Sequence, residues 1–210
     1  MADILKFTET RIIDESIEYH ITGTNLNNGG YIRISIESQD VFAHPSETYL
    51  IFEGHLTKAY ANADEVALTN NAIMHLFSII EYHLSNQMIE SLNYPGQATI
   101  MLGLLKYPDE FSKAQGLNQL WYKDTATTAA KADNNGFAAR HAYLIQSPTV
   151  KGTFSFRIPL KHIFGFCVNY GKIVYDLKHS LTLVRKTDDD AIFRGAGKVS
   201  LDTISWFSSR

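Results

Sequence analysis

Residues 154–193 read FSFRIPLKHIFGFCVNYGKIVYDLKHSLTLVRKTDDDAIF, and this run decides the fold class. Phe154, Phe156 and Ile158 alternate with Ser155 and Arg157, the period of two that half-buries a β-strand. Pro159 has no N–H to give a sheet ladder, so the strand ends or reaches an edge there. A short irregular elbow with Phe164, Phe166, Tyr170 and Tyr175 follows. Leu181, Leu183 and Arg185 then alternate with Thr182, Val184 and Lys186 in a second strand. The unit is the framework of a β-protein.

The same pattern recurs on both sides. Tyr31 to Glu37 alternates apolar and polar residues behind Asn27-Asn28-Gly29-Gly30, residues that tolerate positive φ in turns. Tyr49 to Leu56 is a further strand, entered through His44-Pro45-Ser46. Ala72 to Leu92 reads as helix or hairpin; its second half fits a hairpin, Ile79–Leu84 and Met88–Leu92, around Ser85-Asn86-Gln87. Ala98 to Leu105 (ATIMLGLL) lacks polar alternation and predicts a short buried helix. Pro108-Asp109-Glu110 has the proline and early acids of a helix start feeding Phe111 to Leu120. Residues 125–136 (TATTAAKADNNG) read as an exposed loop, Ala138 to Ile145 as a lead back into the sheet, and Lys198 to Phe207 as a last strand. His20-Ile21-Thr22-Gly23 and Arg194-Gly195-Ala196-Gly197 read as short loops. The residues alone point to an all-β fold, a sandwich or jelly roll, with a short helical insertion at about residues 97–120.

Composition narrows the function. The 210 residues can hide roughly 70% of their unfolded surface without staples. Nineteen basic against 22 acidic residues give a net charge of −3, no field for nucleic acid or anionic membrane. Cys167 is the sole cysteine, which excludes an internal disulfide and a cysteine-based zinc site. No segment nears the roughly 18 apolar residues a bilayer span needs. MADILKFTETRIIDES has early acids and no apolar h-region, so no secretory signal is expected and a soluble, intracellular product is.

Chemical motifs are few. The sequence holds no GxxxxGK[ST] loop, GxGxxG, HExxH or GxSxG. A cupin-type metal site would want an HxH pair; only His44, Glu47 and His55 come near, and strand-end roles are preferred for the eight histidines. Asp188-Asp189-Asp190 lacks calcium-loop spacing and reads as a solvated turn. Cys167 near His162 would need an oriented base to act as a nucleophile; flanked by Phe166 and Val168, it reads as a small core residue. Trp121, Tyr122, Phe164, Phe166, Tyr170, Tyr175, Trp206 and Phe207 could form a carbohydrate platform, but core or subunit packing is preferred. No catalytic, cofactor-binding or metal-binding residue is therefore assigned, and no cofactor is expected.

Phe156-Arg157-Ile158-Pro159-Leu160, the elbow Ile163-Phe164-Gly165-Phe166 and Leu177-Lys178-His179-Ser180-Leu181 resemble the amino-terminal roll of double-jelly-roll major capsid proteins of large eukaryotic DNA viruses. LTNNAIMHLF, IESLNYPGQAT, LLKYPDEFSKAQGLNQLWYKDT and KTDDDAIFR are similar to the capsid-type proteins of Polinton (Maverick) elements and adintovirus-like sequences, and the likeness runs from about Met1 to Phe207. The resemblance implies a structural, non-enzymatic protein that assembles with copies of itself, and with other capsid proteins, into capsomer-like tiles around DNA that it need not bind specifically. It implies a place in the virion, or in the cytoplasm or nucleus where particles form. Chains of that group continue into a second roll, whereas this sequence stops at Ser208-Ser209-Arg210, so the resemblance implies a single self-associating jelly-roll domain over residues 1–210. The alternative is a lectin- or receptor-like jelly-roll module using loop aromatics such as Trp121 and Tyr122.

Overall fold

A computed structural model of the protein describes residues 17–22, 24–27, 29–36, 42–57, 67–128, 132–145, 152–194 and 197–208. Eight strands carry the architecture: β1 (Ile17–Thr22), β2 (Tyr31–Ile36), β3 (Tyr49–Thr57), β4 (Phe77–Leu84), β5 (Gln87–Asn93), β6 (Thr153–Pro159), β7 (His179–Arg185) and β8 (Lys198–Ser208). One sheet has the order β1-β8-β3-β6 and the other β2-β7-β4-β5, every pair antiparallel.

This order has a simple origin. The pairs β1·β8, β2·β7, β3·β6 and β4·β5 are the rungs of one long hairpin whose tip is Ser85-Asn86. Laying β8 on β3 and β7 on β4 rolls that hairpin into two facing sheets. The result is a jelly roll, the double-sheet arrangement built of two Greek keys. Ser85 (φ 44°) and Asn86 (φ 68°) both sit in the left-handed region, the requirement of a two-residue hairpin turn that matches strand twist.

Inward-facing residues come from the alternation read above: Ile32, Ile34 and Ile36 on β2, Phe154, Phe156 and Ile158 on β6, Leu181 and Leu183 on β7, all buried. On β8 the parity changes, with Val199 and Leu201 followed by Ile204 and Trp206 in the core. A bulge between Leu201 and Thr203 makes the change, and Gly54 opposes it. A β-carbon on Gly54 would lie 2.2 Å from the Ser200 carbonyl oxygen, so only glycine lets the strands close at the bulge.

Helices fill the connections: α1 (Ala72–His75), α2 (Pro95–Lys106), α3 (Asn135–Ile145) and α4 (Gly165–Asn169), with 3-10 turns at Asp109–Lys113 and Gln115–Gln119. The stretch between β5 and α3 is the expected helical insertion, and it lies along the side of the sandwich where β5 and β6 are the sheet edges. Between Phe111 and Leu120 the predicted helix is realised as 3-10 turns.

Two expectations are refined and two change. Ala138 to Ile145, the segment leading to β6, is helical and belongs to α3. Its buried residues Phe137, Arg140, His141 and Leu144 recur at helical spacing, but two of the four are polar and hide the period from an apolar count. The loop before α3 is exposed at Thr125, Thr127, Thr128, Ala132 and Asp133, but Asn134 within it is fully buried, and Asn135 and Gly136 already belong to α3. The Asn134 side-chain amide donates to Asp124 Oδ1 (2.9 Å) and the carbonyls of Ala126 (2.9 Å) and Thr128 (3.1 Å), while its oxygen caps Phe137 N (3.0 Å). His20 to Thr22 lie in β1 rather than in a short loop. Asp188 leaves the solvated turn to accept from Arg185 (2.5 Å) and from Val199 N (2.8 Å). Gly195 and Ala196, read as loop, lie outside the described residues.

Candidate functional site

A helix laid on a protein body ordinarily turns its large apolar residues inward. In α2 the sense is reversed. Its buried residues are Pro95, Gly96, Thr99 and Gly103, a small-residue face at helical spacing. Gly96 sits on the His75 ring and Gly103 on the Trp121 indole, where added β-carbons would lie 2.4 Å from His75 Nδ1 and 2.3 Å from Trp121 Cη2. Between them, Thr99 Oγ1 donates to Pro95 O (2.6 Å) and accepts from Asn71 Nδ2 (2.7 Å). The outward face carries Met101 (65% exposed), Leu102 (42%), Leu104 (52%) and Leu105 (85%), with Tyr94 (62%) at the start of the helix. ATIMLGLL is thus a helix, as predicted, but not a buried one: Gly96, Thr99 and Gly103 take the inner face and the leucines are left outside.

Tyr94 (φ 51°) precedes Pro95 at the first helical position, and its N–H is held by Ser78 O on β4 (2.8 Å). At the helix's far end lies the elbow. Glu90 on the edge strand β5 accepts from the backbone N–H groups of Gly165 (2.9 Å) and Phe166 (2.8 Å), bonding the elbow to the sheet edge. The apolar alternation of β5 gives no hint of this role. An acid on an otherwise weakly patterned edge strand is the one signal for it.

Between the α2 C-terminus and the elbow is a half-open cleft of about 400 Å³, bounded by Leu102, Lys106, Tyr107, Lys161, His162 and Val168, with Cys167 beneath. His162 and Cys167 therefore do share a cavity wall, but not as base and nucleophile. His162 Nδ1 donates to Gln119 Oε1 at 3.0 Å, and burial, helped by Lys161, holds its pKa down to about 4. Burial, and then the Glu90 charge, pushes the Cys167 thiol up to about 12, leaving no thiolate at neutral pH.

The other candidates separate in space. The His44 ring lies beside Ser46 Oγ (3.4 Å), whereas His55 Nδ1 pairs with Asp202 Oδ2 (2.9 Å). Among the described residues, no three or more His, Cys, Asp or Glu side chains converge as a metal site. Trp121, Trp206 and Phe164 are fully buried, which removes them from any sugar-binding platform; Tyr122 is half-buried with its backbone N–H on Asn70 Oδ1 (2.8 Å). Tyr175 alone of that cluster is well exposed, stacked on Phe42 with ring centroids 4.7 Å apart.

Residues 66–208 match the family model of the double jelly roll-like domain. A search of curated proteins returns no match. Among solved structures, a chain from the electron cryo-microscopy structure of the Sputnik virophage aligns with a TM-score of 0.55 at 13% identity, covering 93% of this chain and 47% of that one. A chain of the quasi-atomic PBCV-1 virus capsid aligns with a TM-score of 0.48 at 15% identity, covering 96% of this chain and 43% of that one. The chain thus spans less than half the length of these solved chains, and at 13% identity the likeness to the Sputnik chain is one of fold. Because the family model matches more than half of the sequence and the eight strands run in jelly-roll order, the chain belongs to the double jelly roll-like domain family.

Proposed function

We propose that this chain is a capsid-type structural subunit, related to the proteins of Polinton-like and adintovirus-like elements, whose work is assembly rather than catalysis. The observation that carries this reading is the reversed packing of α2. A helix that seats itself with glycines and threonine and presents Met101, Leu102, Leu104 and Leu105 to the outside has its apolar face shaped for a partner. The partner in this reading is another jelly roll, in a copy of this chain or in a longer chain of the same kind, with residues 1–210 acting as one roll. The virion, or the compartment where particles form, is the corresponding location. Nucleic acid would be enclosed without sequence-specific contact, since the net charge of −3 supplies little phosphate neutralisation. The lectin-like alternative gains nothing from Trp121, which lies under Gly103.

The test is sedimentation of the purified chain at micromolar concentration, with negative-stain microscopy, beside the double variant Leu104→Glu/Leu105→Glu. Regular oligomers in the parent, reduced to folded monomers in the variant, support assembly through α2. A parent that sediments as a clean monomer, alone and mixed with longer chains of its kind, would sink the reading.

A further inference from the structure

The cleft beside α2 has a size and a lining of its own. At about 400 Å³ it falls within the range of roughly 300–1,000 Å³ that takes small molecules. Its walls are mostly apolar: Leu102 from α2, Val168 and buried Cys167 from the elbow, and the ring of Tyr107. Two lysines, Lys106 and Lys161, line it from opposite elements, one at the end of α2 and one in the 3-10 turn Leu160–His162. Neither has an acidic partner among the described residues, and no acid lines the cleft. An apolar cavity flanked by two cations without counter-ions is complementary to a molecule with an apolar body and an anionic head.

The backbone around the cleft decides between a small molecule and a peptide. Peptide grooves that add a strand offer free main-chain donors and acceptors. Here Gly165 N and Phe166 N are taken by Glu90, Val168 N by Phe164 O (3.3 Å) and Tyr107 N by Gly103 O (2.9 Å). These N–H groups are therefore not free to donate to an added strand. We propose that this cleft binds an amphiphilic carboxylate of the fatty-acid class, its chain against Leu102, Val168 and Tyr107 and its carboxylate between Lys106 and Lys161.

The probe is dodecanoate, titrated calorimetrically below its micelle concentration into the full chain. Dodecylamine, octanoate and the singly anionic peptide amide Ac-Leu-Asp-Leu-NH2 serve as comparisons. The expected result is saturable 1:1 binding of dodecanoate, with octanoate at least about tenfold weaker because it buries four fewer methylenes, and no measurable binding of the amine. Lys106→Glu/Lys161→Glu should invert the preference, taking the amine and refusing the acid. Val168→Trp, which fills the cleft, should abolish binding with the circular dichroism spectrum unchanged; Leu102→Trp, on the exposed side of α2, replaces it if that variant fails to fold. Equal binding of acid and amine, unchanged affinity in the cleft-filling variant, preference for the peptide, or no binding of dodecanoate each overturns the assignment.

Discussion

Gly103 stands so close to Trp121 that a β-carbon would lie 2.3 Å from the indole Cη2. The contact sets the height of α2 above the body, and with it the plane in which Met101, Leu104 and Leu105 are offered. Gly103→Ala would raise intrinsic helix propensity but must push a fully buried indole aside. The expected outcome is a net loss of about 1–3 kcal/mol, measured by urea unfolding. A gain in stability would show that α2 has room to move and that its register on the body is not fixed by this contact.

Glu90 ties the edge strand to the elbow and also opposes ionisation of Cys167. Removing it acts on the thiol in one direction twice, by loosening α4 and by deleting a neighbouring negative charge. Glu90→Ala should therefore label with a thiol reagent at pH 8 several-fold faster than the parent, while unfolding free energy falls by about 1 kcal/mol, the worth of exchanging those bonds for water. Identical labelling rates would mean that the elbow stays closed without Glu90.

Acid should weaken the fold through its buried histidines. Burial holds His179, hydrogen-bonded to the Tyr82 hydroxyl at 2.6 Å, down to about 4, and His162 is held at the same value by burial and Lys161. An unfolded chain takes up these protons near pH 6.5, so the stabilisation is complete above that pH and is lost as pH falls toward about 4. Each unit in that window costs about 1.4 kcal/mol per histidine. Urea unfolding at pH 7.5, 5.5 and 4.5 measures the slope, and His162→Asn should reduce it by one proton. A slope unchanged in that variant would place the proton uptake elsewhere.

Arg140 is a buried clamp between connections that are far apart in sequence. Its guanidinium donates to Leu68 O (2.7 Å), to Tyr122 O and to Asp124 Oδ1 (2.5 Å), with no side-chain surface exposed. Desolvation lowers its pKa and Asp124 works against that. Arg140→Ala strands two carbonyls and a carboxylate, for an expected loss of about 3–5 kcal/mol. Scanning calorimetry should show a large drop in Tm; a drop of only a degree or two would mean that water replaces the clamp.

The sheet framework was legible because it rests on alternation that a single line of sequence displays. Phe154, Phe156 and Ile158, and Leu181 and Leu183, fell where the pattern put them, as did the Ser85-Asn86 turn. The pairing order was not legible from periodicity, since alternation marks which face a residue takes and not which strand lies beside it. It came from resemblance. The helices were read less well where burial is achieved by polar groups: Arg140 and His141 complete the inner face of α3, yet an apolar count treats them as surface. The sense of α2 was hidden for the opposite reason. Its leucines look like a core, and only the fit of Gly96 on His75 and Gly103 on Trp121 shows which way they point. Glu90 bonds to an elbow 75 residues further on and Asp188 accepts from Val199 N on β8, so these roles belong to tertiary structure, whereas the Asp188–Arg185 pair is local.

The sum-of-nine pairing of the strands has a consequence for synthesis on the ribosome. β8 lies between β1 and β3, so the sheet it completes cannot close until residues 198–208 have left the exit tunnel. Until then β1 and β3 stand with open hydrogen-bonding edges, and the β4–β5 hairpin is the one adjacent-strand rung that can form early. Closure of this sheet therefore waits on the last of its strands and is slow in the manner of chains dominated by distant contacts. The nascent chain passes through an interval in which its unpaired edges could join those of a neighbour on the same messenger.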